Sequence, residues 1–86
     1  MKMATWEIEN NKLVKRYEFA SQTELCQFLL EVAMCADNFY HHPDVVIYQC
    51  SKMSISLFTH DKGQITEKDY ELSKRIDAIS HLSTKR

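Results

Sequence analysis

His41, His42 and His60 are three of the four histidines in an 86-residue chain, and they fall within 20 positions of one another. Two acids bracket them: Asp37, four residues before His41, and Asp69, nine residues after His60. Imidazoles titrate near neutral pH, so a group of them beside carboxylates suits general acid–base catalysis. A carboxylate next to an imidazole also favours its protonated form and orients the ring, and Asp37 or Asp69 could each hold a histidine. No serine or cysteine lies in a nucleophile motif. No glycine-rich phosphate loop is present either. For an enzyme with these residues, proton transfer without a cofactor is the natural chemistry.

Two plainer readings compete. His41 and His42 are adjacent, so in an extended segment they point to opposite sides. Only one could then join His60 around a metal, and no HxH or HxxxH spacing supplies a further ligand. A metal site is therefore disfavoured. A purely structural account reads His-His-Pro as a polar turn and His60 as a strand-end residue bonded to backbone. In that account Asp69 is a helix-cap partner and Asp37 a helix-end acid. His81, late in the second helix, reads as a solvated surface residue.

The surrounding elements must position these groups. Thr5 to Glu9 alternates, with Trp6 and Ile8 on one face, and reads as a short strand. Asn10-Asn11 suits a tight turn, and Lys12 to Phe19 alternates as a second strand. Ser21 and Glu24 form a capping box that opens the first helix. Leu25, Phe28, Leu29, Val32, Ala33 and Ala36 form its apolar stripe, and Asn38 and the approaching Pro43 end it near Asp37. Val45 to Tyr48 is rich in β-branched residues and reads as a third strand. Gln49 to Lys52 then turns into a fourth strand, Met53 to Thr59, with His60 at its exit. A hairpin here folds His42 and His60 back towards each other. Gly63, the single glycine, lies in the next loop, and Thr66 with Asp69 forms a variant capping box for the second helix. Leu72, Ile76 and Ile79 give that helix its stripe, and Ser83 to Arg86 are expected to fray. The order β-β-α-β-β-α predicts an α+β fold: a four-stranded antiparallel sheet with both helices on one face. The uncovered face and the edges make self-association plausible.

Composition narrows the function classes. Residues 1–86 are expected to form one domain, too small to enclose a large cofactor and keep a core. With 44% hydrophobic and 27% charged residues the chain is of ordinary globular composition. A net charge of −1 leaves no basic excess for a phosphate backbone, so nucleic acid is not an expected partner. No run of about 18 apolar residues could span a membrane. Met1 to Thr5 leads into Trp6, Glu7 and Glu9 where a signal peptide needs an apolar stretch, so a cytoplasmic location is expected. Cys26, Cys35 and Cys50 lack CxxC spacing and read as reduced thiols. Cys26 and Cys35 sit about 180° apart around a helix and cannot pair.

The ordered set of Asp37-(three residues)-His41-His42-Pro43, the aromatic Tyr48, Thr59-His60-Asp61 and Thr66-Glu67-Lys68-Asp69 resembles the pterin-4a-carbinolamine dehydratase family. Trp6, Leu13, Arg16, Phe19 and the capped helix agree upstream, so the similarity runs from about Trp6 to Asp77. His-His-Pro alone would be weak; the set is specific. The resemblance implies the same sheet-and-helix fold, assembled as homodimers or homotetramers. It implies dehydration of 4a-hydroxytetrahydropterin to quinonoid dihydropterin, which recycles the tetrahydrobiopterin of aromatic amino acid hydroxylases. Such a hydroxylase is then a partner in the same pathway, and neither metal nor cofactor is used.

Carried over by position, His41, His42 and His60 form the catalytic set lining the pterin pocket. His41 and His60 are its acid–base pair, and His42 mainly binds substrate. Asp37, Pro43, Thr59 and Asp69 are the substrate-binding positions, the two acids acting as polar support. One branch of the family also serves as a dimerisation cofactor for a transcription factor, so the alternative is a non-catalytic binding or dimerisation module on the same fold. The three histidines and two acids favour the enzyme, because a scaffold has no need of them.

Several positions depart from the family pattern. The turn after the third strand is Gln49-Cys50-Ser51-Lys52-Met53 in place of a Tyr-Asn-Lys-Val-like run. The span from Pro43 to His60 is one residue longer than usual. A longer hairpin loop or a bulge would absorb the difference without flipping a strand. Gly63-Gln64-Ile65-Thr66 replaces a Gly-Gly-Leu-Thr run, and Phe58 replaces a smaller residue beside Thr59.

Overall fold

The computed structural model describes the backbone of residues 5–83 and the side chains of residues 5–79. Of the stretch expected to fray, Ser83 is still helical, and residues 84–86, like the side chain of His81, lie outside these described residues. Six elements follow in order: β1 (Glu7–Glu9), β2 (Lys12–Glu18), α1 (Gln22–Phe39), β3 (Asp44–Tyr48), β4 (Lys52–Leu57) and α2 (Glu67–Ser83). All neighbouring strands pair antiparallel, in the order β1-β2-β4-β3.

Local chemistry accounts for the boundaries. Asn10 and Asn11 both take positive φ, at 51° and 64°, the left-handed conformation that a two-residue hairpin turn demands and that asparagine accepts most readily. Ser21 accepts a 3.1 Å hydrogen bond from the Glu24 backbone N–H and so caps α1. Between β3 and β4 the register runs unbroken from Asp44↔Ser56 to Tyr48↔Lys52. The extra residue of this hairpin therefore sits in a three-residue loop, Gln49 to Ser51, and not in a bulge. Gln49 and Cys50 take φ of 50° and 71° there.

The core lies between one sheet face and the two helices. Leu13 of β2 and Met53, Ile55 and Leu57 of β4 meet Leu25, Phe28 and Val32 of α1 and Leu72 and Ile76 of α2. Strand alternation and helical stripe thus converge on one layer, and burying each such side chain is worth about 1.5–3 kcal/mol. Ala33 does not join it; it is exposed. At 100° per residue it lies about 80° around α1 from Leu25, on the rim of the stripe. Ile8 is also exposed, at 62%, because β1 is a sheet edge beyond the helices.

A polar clasp ties Trp6 and Lys15 to α2. Asp77 Oδ1 accepts from the Trp6 indole N–H at 2.9 Å and from the Lys15 ammonium at 2.8 Å. Lys15 is buried, and its ammonium lies 5.9 Å from the Trp6 ring centroid and 5.3 Å from that of Tyr17. Paired with a carboxylate and two aromatic faces, its charge is tolerated in the interior. The open face of the sheet carries a bidentate pair, Arg16 with Glu9, at 2.8 and 2.7 Å. No helix among the described residues is long and apolar enough to cross a membrane.

Candidate functional site

The turn that ends α1 delivers the first two histidines. Tyr40 adopts a left-handed conformation, with φ 57° and ψ 35°. The His41 N–H reaches back to the Ala36 carbonyl at 3.3 Å, the six-to-one bond of a Schellman ending that most often uses glycine. Pro43 then keeps His42 out of helical conformation and starts β3 at Asp44. Adjacent side chains diverge as extended backbone requires. His41 turns inward, its side chain 12% exposed, whereas that of His42 is 60% exposed.

Each faces its own acid. His41 Nε2 lies 2.6 Å from Asp69 Oδ1, and His42 Nε2 lies 2.7 Å from Asp37 Oδ1. Asp69 is completely buried. It stands in the first turn of α2, where the unpaired N–H groups and the helix dipole favour negative charge. Its Oδ2 accepts from the Thr59 hydroxyl at 2.8 Å and from the Thr66 backbone N–H at 2.9 Å. The expected capping box is therefore half formed. Asp69 reaches back to the Thr66 N–H, but the Thr66 hydroxyl lies 2.7 Å from that of Thr59. Thr59 spends its single proton on the carboxylate, so Thr66 must donate to Thr59.

The carboxylate itself decides the tautomer. An ionised carboxylate only accepts, so His41 presents Nε2–H to Asp69. Nδ1 is then the ring nitrogen available to take or give a proton. His42 has the same arrangement with Asp37, on the surface, where such a pair contributes little stability. The third histidine stands differently. Thr59 points inward, while His60, one residue on, is 71% exposed. Its Nε2 lies 3.9 Å from Asp44 Oδ2, beyond hydrogen-bond length. A tight loop carries it: the Thr59 carbonyl accepts from the Gly63 N–H at 2.9 Å, and Gly63 takes φ 66°.

Asp37, His41, His42, Pro43, Thr59, His60 and Asp69 thus all lie at the end of the sheet where β3 begins and β4 ends. Asp37–His42 and Asp69–His41 are joined directly; His60 faces Asp44. Three participants were missed as such from sequence. Asp44 directly follows His-His-Pro and could have been marked as an acid beside the cluster. Thr66 was visible only as a helix cap. Phe58, seen only as a bulky departure from the family pattern, stacks edge-on against His60 with ring centroids 5.2 Å apart. A shallow depression elsewhere, on the outer side of α1, is lined by Gln22, Thr23, Cys26, Gln27 and Leu30 and holds none of this chemistry.

A family model described as pterin 4 alpha carbinolamine dehydratase matches residues 1–79. A relative from Sulfolobus acidocaldarius, provisionally named pterin-4-alpha-carbinolamine dehydratase, is 40% identical over 74 residues, covering 86% of this chain and 80% of that protein. Another, from Prochlorococcus marinus and provisionally given the same name, is 42% identical over 80 residues, covering 92% and 81%. The fold resembles the crystal structure of a transcriptional coactivator/pterin dehydratase from Brucella melitensis, with TM-score 0.79 and 21% identity over 86% of this chain and 80% of that one. It also resembles a pterin dehydratase-like protein identified as a RuBisCO assembly factor in the alpha-carboxysome, with TM-score 0.69 and 20% identity over 91% and 89%. On the family match and these identities, the chain belongs to the pterin-4α-carbinolamine dehydratase family.

Proposed function

We propose that the chain converts 4a-hydroxytetrahydropterin to quinonoid dihydropterin and water. The observation that carries this reading is the buried Asp69 carboxylate holding Nε2 of His41 at 2.6 Å, which presents Nδ1 for proton transfer. In the reaction the C4a–O bond breaks while a protonated imidazole gives its proton to the departing hydroxyl, forming water. The N5 lone pair closes the C4a=N5 double bond, and a neutral imidazole takes the N5 proton. His41 and His60 fill these two roles between them, and exchange with solvent resets both. Each such proton transfer contributes a factor of about 10² to 10⁴. His42 binds substrate from the surface, and Asp37, Pro43, Thr59 and Asp69 shape and support the pocket. No metal or cofactor takes part.

The same reading makes the protein a cytoplasmic, single-domain homodimer or homotetramer that follows an aromatic amino acid hydroxylase in tetrahydrobiopterin recycling. Exposed Val46 and Ile47 on the edge strand β3, at 57% and 42%, support self-association. The test is dehydration of 4a-hydroxytetrahydropterin, generated in place by a hydroxylase, with wild type and His60→Ala side by side. Acceleration that is lost in a folded His60→Ala supports the enzyme. No acceleration by folded wild type favours the second reading, a binding or dimerisation module. The solved relative identified as an assembly factor is the observation on that side.

A further inference from the structure

Phe58 lies between buried Leu57 and Thr59 where β4 ends, and His60 stands exposed in the turn that follows. Their rings meet edge to face, with centroids 5.2 Å apart and planes at 73°, the arrangement that aromatic quadrupoles prefer. Phe58 is held in turn: it is half-buried, and the Lys12 ammonium of β2 lies 5.8 Å from its centroid. Asp44 of β3 attracts His60 across 3.9 Å, too far for a hydrogen bond to fix the ring. A side chain that is 71% exposed on a turn can occupy several rotamers unless a neighbour selects one. Among these contacts, the Phe58 ring is the one that selects a direction.

We propose that Phe58 is a positioning residue for His60: its ring fixes the orientation of the imidazole for proton transfer. Lys12 and Asp44 are the charged groups facing the pair from β2 and β3. This rests on the reading of the site as a dehydratase. The sharpest test compares wild type, Phe58→Leu and Phe58→Tyr by steady-state kinetics, with the His60 ring-proton resonances followed by NMR. Phe58→Leu is expected to lower kcat roughly 2- to 10-fold, the range an aromatic pair supplies. KM and melting temperature should stay close to wild type, and the His60 resonances should move as the ring current is lost. Phe58→Tyr keeps the ring and should restore kcat. A Phe58→Leu protein with wild-type kcat overturns the inference alone, as does one that raises KM with kcat unchanged, which would make Phe58 a binding residue. Wild type without dehydratase activity overturns the functional reading and the catalytic positioning with it, even where the resonances confirm the ring contact.

Discussion

Asp69 joins His41 across 2.6 Å from a fully buried position in the first turn of α2. The same carboxylate caps that helix and accepts the Thr59 hydroxyl, so helix start, strand exit and imidazole share one anchor. A residue serving all three cannot be exchanged without cost.

Asp69→Asn is the near-isosteric test of that anchor. One amide cannot accept from the His41 N–H, the Thr59 hydroxyl and the Thr66 N–H as two carboxylate oxygens do, because its NH₂ group must face one of these donors. Facing Thr59 and Thr66 the NH₂ would meet two donors, so it turns to His41, and the charge-assisted bond there becomes a neutral one, at an expected cost of about 1 kcal/mol in urea unfolding. With the NH₂ towards His41, the ring must accept at Nε2 and carry its proton on Nδ1, so kcat is expected to fall by about 10² or more. Wild-type stability together with wild-type kcat in Asp69→Asn would show that the carboxylate fixes neither helix nor imidazole.

Tyr40 predicts a gain. A tyrosine with φ 57° and 88% exposure spends conformational energy without burying its ring. Tyr40→Gly should raise unfolding stability by about 1 kcal/mol, since glycine occupies that region freely. An unchanged or lowered denaturation midpoint would show that the turn carries no strain.

The sheet core and its uncovered edge should respond in opposite ways to the same truncation. Ile55 is fully buried at the centre of β4, and Ile55→Ala is expected to cost about 2–5 kcal/mol. Ile8→Ala, on the exposed edge, should stay within about 0.5 kcal/mol of wild type. Equal losses at the two positions would mean that β1 is covered in solution.

On the open face, the hydrogen bond from Arg16 lowers the Glu9 pKa below the ordinary glutamate value, and its charge adds to the effect. A carboxyl depressed in the folded state stabilises it above the unfolded pKa of about 4.5, and that contribution is lost as pH falls through the lower folded value. Glu9→Gln should therefore melt slightly below wild type at pH 7, with the difference shrinking as pH falls below 4.5 and in high salt. A difference that does not shrink as pH falls below 4.5, or that survives high salt, would assign it to something other than this ion pair.

Periodicity made most of the fold legible, and it did so where a strand or helix stripe meets the core. The buried residues of α1, Leu25, Phe28, Val32 and Ala36, all belong to the stripe read from sequence. What periodicity could not see was coverage. Ala33 and Ile8 are apolar residues on the right elements, but at exposed rims of the core. The histidine–acid pairs were visible as candidates, because adjacent histidines must diverge. Which acid took which histidine depended on tertiary placement: Asp69 is 28 residues from His41. The Thr66–Thr59–Asp69 chain was hidden because Thr66 and Asp69 already had a sufficient local explanation as a capping box.

The most direct measurement is the rate of 4a-hydroxytetrahydropterin dehydration by wild type against His41→Ala, both shown to be folded. The account predicts acceleration by wild type and a fall in kcat of about 10² to 10⁴ in His41→Ala. A folded His41→Ala that dehydrates the substrate as fast as wild type would contradict it.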